Sequence, residues 1–255
     1  MKSKLTILLT LLILISCGRN KYEKKILGKW YDIRETGQIE FAQDSLNIWE
    51  LTSTKANWKA GENEITYEFK NVFNDSIKSN SLKYKLNNDT LIVKTNVDSL
   101  SEFKFIKAES FTDFIFKKNN VNIKLEENPN SEFQRTENKY GIKIFVENKK
   151  GNIKIKTEYS ENLKNLENDL EKILVDLSPY FRNEYEDLHT ERFTFEQWIR
   201  MNIYYSLFID EGISESKINP ILEKLRKTKI RKIYRVYKTE ENEFVDFNNL
   251  KEIKL

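Results

Sequence analysis

The chain has 255 residues, 33% of them charged, with 43 lysines and arginines against 40 aspartates and glutamates and a formal net charge of +3. So even a balance leaves no electrostatic footprint for nucleic acid. Abundant charge with only three prolines marks a solvated globular chain and not a disordered tether. The single cysteine excludes an internal disulfide framework, and with a single histidine it leaves too few ligands for the usual zinc sets.

The chain opens with Lys2 and Lys4 ahead of an almost unbroken apolar run over residues 5–15. That run has the length of a signal-peptide core, well short of the roughly 20 apolar residues that span a bilayer. It ends in Leu14-Ile15-Ser16-Cys17, which resembles the lipobox of bacterial lipoproteins: a branched apolar residue, a tolerated position, a small residue and an obligatory cysteine. The alternative is an ordinary signal peptide with an incidental cysteine. The resemblance implies that residues 1–16 are removed, that Cys17 carries a diacylglyceryl thioether and an N-acyl group, and that the membrane is a partner through this anchor. Several acyl chains make such attachment effectively permanent, since each buried methylene contributes about 0.8 kcal/mol. Residues 17–25, Cys-Gly-Arg-Asn-Lys-Tyr-Glu-Lys-Lys, read as the lipidated cysteine and a polar spacer. Acidic residues after the cysteine direct some lipoproteins to the cell surface, so the basic residues here imply a periplasm-facing place in the envelope. Loss of Lys2 and Lys4 leaves the mature chain nearly neutral.

Residues 26–118 carry a β pattern of short aromatic and β-branched runs broken by Asn, Asp, Gly and Ser. Strands are expected over 27–34, 38–42, 46–52, 64–72, 82–86, 91–95, 103–106 and 111–117. The clearest hairpin joins 82–86 to 91–95 through Asn87-Asn88-Asp89-Thr90, because Asn and Asp tolerate the left-handed φ of a tight turn. Eight strands with no intervening helix suit a small up-and-down barrel. At its head, Leu27-Gly28-Lys29-Trp30-Tyr31 resembles the Gly-x-Trp opening of lipocalins and of the lipocalin-like domains of bacterial lipoproteins. The resemblance implies that Gly28 permits close backbone approach at the barrel floor, that Trp30 plugs it, and that Lys117 or Lys118 covers the ring. The alternative is a β-sandwich or half-barrel in which Trp30 is simply core. The stretch 54–63 reads as a long loop whose Trp58 would stand on a ligand rim at the opposite, open end.

Residues 119–138 read as a polar linker, with one short strand over 121–125. Residues 139–255 form the second domain, α+β with the order β-β-α-α-α-β. A hairpin alternates through Ile142, Ile144 and Val146 and returns through Ile153 and Ile155. A helix capped by Ser160 carries a leucine-isoleucine stripe and stops before Pro179. Thr194 and Gln197 form a capping box for a central helix running through Phe208 to Gly212, and Asn219-Pro220 caps the next. A strand over 230–237 follows, and the tail adds an edge strand. The fold class is therefore α+β in two domains, a lipocalin-like barrel followed by an α+β domain. The order of the second domain resembles the periplasmic domain of ExbD-type energy-transducing proteins, which implies an envelope-assembly role as an alternative.

Chemistry-bearing constellations are few. His189 has neighbouring acids but no nucleophile to serve, and reads as a loop residue. Seven glycines form no phosphate-cradling loop or dinucleotide fingerprint, so neither cofactor nor metal is expected and no catalytic residue is singled out. The basic run from Lys224 to Lys238 reads as a solvated helix end and a lysine-guarded edge strand, the alternative being a patch for anionic headgroups or wall polymer. These features point to a non-enzymatic binding or interaction lipoprotein whose partner is a small hydrophobic ligand or an envelope protein. A hydrolase working through paired carboxylates is the enzymatic alternative.

Overall fold

The computed structural model describes residues 19–49, 53–70, 76–94, 102–127, 134–157, 159–188, 192–228, 230–238 and 246–253. The chain divides into two compact units, Met1–Phe114 and Ile115–Leu255.

The first unit is a closed barrel of eight antiparallel strands in chain order: β1 (Gly28–Asp32), β2 (Gln38–Phe41), β3 (Leu46–Trp49), β4 (Ser53–Ala60), β5 (Glu64–Lys70), β6 (Ile77–Asn87), β7 (Thr90–Lys94) and β8 (Glu102–Lys107). Closure is made by β1 against β8, with Tyr31 opposite Ile106. Before it lies a short helix, α1 (Lys21–Ile26), and after it α2 (Phe111–Asn119). Alternation along each strand sends Trp30, Phe41, Trp58, Ile65, Tyr84, Leu91, Val93 and Phe105 into one buried cluster. These side chains fill the interior, as an eight-stranded barrel permits. Tyr31 faces the other way. It is buried by Phe111 and Phe114 of α2, whose rings lie 6.0 and 5.2 Å from its own.

Eight strands were expected and eight are present, yet two expectations change places. Residues 54–63 are not a long loop: most of them are β4, paired with β3 and β5. Residues 111–117 are not a strand but the body of α2. The apolar spacing Phe111, Phe114, Ile115 suits three-and-four helical periodicity, and all three are buried.

The second unit is built on a six-stranded mixed sheet. Its strands are β9 (Gln134–Glu137), β10 (Gly141–Lys149), β11 (Asn152–Lys156), β12 (Tyr204–Ile209), β13 (Lys232–Val236) and β14 (Asp246–Glu252), in the spatial order β11-β10-β12-β13-β14-β9. The β10–β12–β13 centre is parallel, with helices α3 (Leu166–Asp187), α4 (Phe195–Asn202) and α5 (Glu215–Arg226) between its strands. One face of the sheet, including Ile142, Ile144, Val146, Tyr205, Leu207 and Ile233, packs on Leu170, Ile173, Phe181, Ile221 and Leu225 of the helices. On the other face Phe145 and Phe208 stack at 5.2 Å, with Phe116 edge-on to Phe208 at 5.7 Å.

Several details differ from the sequence expectation. The capping box of Thr194 and Gln197 is present, but α4 ends at Asn202 and the residues after it form β12, all six of them buried. An apolar run buried on both faces reads alike as a central parallel strand or a buried helix. Helix α3 begins after Asn165, not Ser160, and continues through Pro179. Helix α5 begins after Ser214, so Pro220 lies inside it and not at its first position. β13 is flanked by β12 and β14, so its cationic residues guard no edge, and the tail strand β14 is also internal. Within the stretch read as a linker, Leu125 bridges to Asp210, Glu127 to Lys238, and residues 134–137 form β9.

Candidate functional site

In an up-and-down barrel the start of β1 shares one end with the β2–β3, β4–β5 and β6–β7 turns. Helix α1 covers that end. Asn20 caps it, accepting from the N–H groups of Tyr22 and Glu23 at 2.8 and 3.0 Å, while the Glu23 carboxylate accepts from the Asn20 N–H at 2.9 Å. The Asn20 amide also donates to the Ala60 carbonyl at 2.9 Å. Ile26, completely buried, joins the barrel core.

The predicted floor residues lie here. Trp30 is completely buried, and its indole N–H donates to the Ile26 carbonyl at 2.7 Å. Gly28 has φ +114°, and a Cβ there would stand 3.1 Å from Lys107 Cε, so glycine serves both conformation and proximity. The cation over Trp30 is Lys107, 5.4 Å from the ring centroid. This corrects the expectation of Lys117 or Lys118, which lie in the last turn of α2. Lys107 ends β8, the strand that closes on β1.

Trp58 is not on a rim. It is 4% exposed, its indole N–H donates to the Ala42 carbonyl at 3.0 Å, and Phe41 meets its ring edge-on at 4.9 Å. It belongs to the core near the α1-covered end, and the ligand rim assigned to it falls with that placement. Cys17 and His189 lie outside the described residues.

Among the described residues, two of the cavities against the barrel bear on binding. One, about 180 Å³, opens at the end opposite α1 and is lined by Asp32, Arg34, Thr36, Ile39, Ile48 and Phe103 among others. Its carboxylate is already saturated. Asp32 accepts from the Arg34 backbone N–H at 2.9 Å, from the Arg34 side chain and from the Thr36 hydroxyl at 3.0 Å, and Arg34 lies 4.7 Å from the Phe103 ring centroid. Burial alone would raise the Asp32 pKa, but the bonds from Arg34 and Thr36 and the guanidinium charge outweigh it and hold the carboxyl below its usual value. An acid held ionised in this way cannot act as a proton donor at neutral pH. Its folded pKa is depressed, so its stabilising contribution is full above the unfolded value of about 3.9 and is lost as pH falls below it. Asp32→Asn should therefore destabilise the barrel by on the order of 1 kcal/mol at pH 6. Urea melts should show that difference shrinking toward pH 3.

The second cavity, about 430 Å³, is a groove on the outer wall lined by Asn63, Glu64, Lys83, Tyr84, Lys85, Ile92 and Lys94. The register explains it. Glu64 opposes Lys83, Lys83 opposes Lys94, and Lys85 opposes Ile92, so these five side chains share the outer face while Tyr84, Leu91 and Val93 point inward. Three lysines and Glu64 thus share that face with Ile92. Lys94 pairs with Glu102 at 3.3 Å.

In the second unit, the Glu184 carboxylate accepts from the Tyr140 hydroxyl at 2.5 Å and from Lys139 at 3.0 Å. Burial and the Glu184 bond push the Tyr140 phenol up to about 12, so it is no phenolate nucleophile at neutral pH. Within the basic run, Arg235 pairs with Glu126 at 2.8 Å and Lys238 with Glu127 at 2.9 Å, which neutralises part of the patch. Among the described residues no group of three or more His, Cys, Asp or Glu is placed to hold a metal ion, and no helix is long and apolar enough to cross a membrane.

The chain matches no protein-family model, and no curated protein or solved structure matches it.

Proposed function

We propose that this chain is a lipid-anchored, non-enzymatic binding lipoprotein of the bacterial envelope, periplasm-facing, with a lipocalin-like barrel as its recognition unit. The observation that carries the binding reading is the contrast between a filled lumen and an open outer-wall groove. The lumen is occupied by Trp30, Phe41, Trp58 and Tyr84, and the cavity at its uncovered end is about 180 Å³, below the roughly 300–1,000 Å³ of small-molecule sites. The groove, about 430 Å³, falls within that range. Its lining, three lysines and one carboxylate beside Ile92, is net positive and suits an anionic amphiphile: a carboxylate or phosphate meets Lys83 and Lys85 while the alkyl portion covers the isoleucine. This moves the expected small hydrophobic ligand from the barrel's interior to its wall and adds a charge to it.

Titration of delipidated protein with a fluorescent long-chain carboxylate tests the reading. A Lys83→Glu/Lys85→Glu variant should bind it about tenfold or more weakly, because each solvent-facing charge pair contributes up to about 1 kcal/mol and the effect of two approaches a decade or more in affinity. The corresponding uncharged alcohol should bind both proteins alike. Equal carboxylate affinity in the two proteins, or no binding to the wild type, would refute the groove as the site.

A further inference from the structure

From Arg19 onward, the stretch read as a spacer is bound to the barrel. The Arg19 guanidinium donates to the Trp58 carbonyl at 3.0 Å and Nε to the Gln43 carbonyl at 3.0 Å; its Cζ lies 4.2 Å from the Trp58 ring centroid, and it pairs with Glu23 at 3.6 Å. Asn20 is bound to Ala60 and caps α1. The chain is thus fastened to the barrel from Arg19 onward, two residues beyond Cys17. Successive Cα atoms are about 3.8 Å apart, so the Cys17 Cα lies within about 8 Å of the Arg19 Cα whatever the conformation between them. That leash is comparable to the thickness of one headgroup layer, roughly 5–8 Å from the difference between a bilayer's full and hydrocarbon thickness.

We infer that the α1-covered end of the barrel rests directly on the lipid headgroups, and that the opposite end points away from the membrane. The inference rests on the reading that Cys17 is lipidated and adds an orientation to it. The surface brought to the headgroups consists of α1, with exposed Lys21, Lys24 and Lys25, and the β2–β3, β4–β5 and β6–β7 turns, with exposed Asp44, Glu62 and Asp89. Its charges are mixed, so the orientation comes from the short covalent leash and not from electrostatic attraction. It should therefore persist at high salt, where exposed charges are screened.

Reporter cysteines test this in the full lipidated protein reconstituted in vesicles. Asp44→Cys places a fluorophore on the covered end, and Ser79→Cys places one on exposed β6 near the other end. The expected result is quenching of the Asp44 probe by headgroup-attached nitroxide lipids several-fold stronger than that of the Ser79 probe. Inserting about twelve Gly/Ser residues between Gly18 and Arg19 should equalise the two, because a flexible linker of that length reaches about 20 Å. Equal quenching without the insertion, in protein shown by mass to carry lipid on Cys17, would overturn the orientation alone. Protein without lipid on Cys17 would overturn the anchor reading and the orientation with it.

Discussion

Trp30→Ala should cost the barrel about 3–5 kcal/mol, the range for emptying a large aromatic core site. The indole is completely buried, its N–H is bound to the Ile26 carbonyl, and Lys107 stands over its ring. Truncation would leave a cavity beneath α1, an unpaired carbonyl at the helix's last residue and a lysine without its aromatic partner. Total stabilities of roughly 5–15 kcal/mol make such a loss a large fraction of the whole. Urea denaturation followed by far-ultraviolet circular dichroism measures it. Trp30→Phe, which keeps most of the volume but loses the N–H donor, should fall between alanine and wild type. A change below about 1 kcal/mol for the alanine variant would contradict this role.

Trp198→Ala should have a comparable effect in the second unit, again about 3–5 kcal/mol. Its ring is 3% exposed and lies within 5.9–6.5 Å of Phe181, Tyr140, Phe195 and Tyr185. It ties α4 to α3 and to Tyr140, just ahead of β10. A graded comparison separates packing from helix initiation. Thr194→Ala removes the capping hydroxyl of the same helix, which accepts from the Gln197 N–H at 3.3 Å, and should cost only about 1 kcal/mol. Thermal or urea melts in which the cap variant equals or exceeds the tryptophan variant would reverse that ranking.

Both tryptophans are marked in the sequence by their local settings, Gly-x-Trp and a capping box. Local signals of that kind carry through because they depend on neighbours within four residues. The features that the sequence leaves hidden depend on distant partners. Trp58 looks unpartnered in the linear chain because its partners, Ala42 and Phe41, lie across two strand pairings. Lys107 cannot be told from Lys117 or Lys118 without knowing where the last strand ends. Residues 204–209 place apolar side chains on both faces, so periodicity alone does not separate helix from strand, and the parallel neighbours β10 and β13 decide it. Pro179 and Pro220 mark no helix boundary, since tertiary packing overrides local preference at single positions. The outer-wall groove has no linear signature at all: its lysines come together only through the cross-strand register of β5, β6 and β7.

Lipid on Cys17 would hold this barrel at the membrane, and the mass of the mature amino terminus reads it. Mass spectrometry of the membrane-extracted protein, with radiolabelled palmitate incorporation beside it, should find a chain beginning at Cys17 that carries acyl groups. A Cys17→Ser variant should incorporate no label and persist as an uncleaved precursor or a soluble form. A wild-type chain cleaved elsewhere and free of lipid, or a Cys17→Ser variant labelled as strongly as the wild type, would rule out the anchor at Cys17.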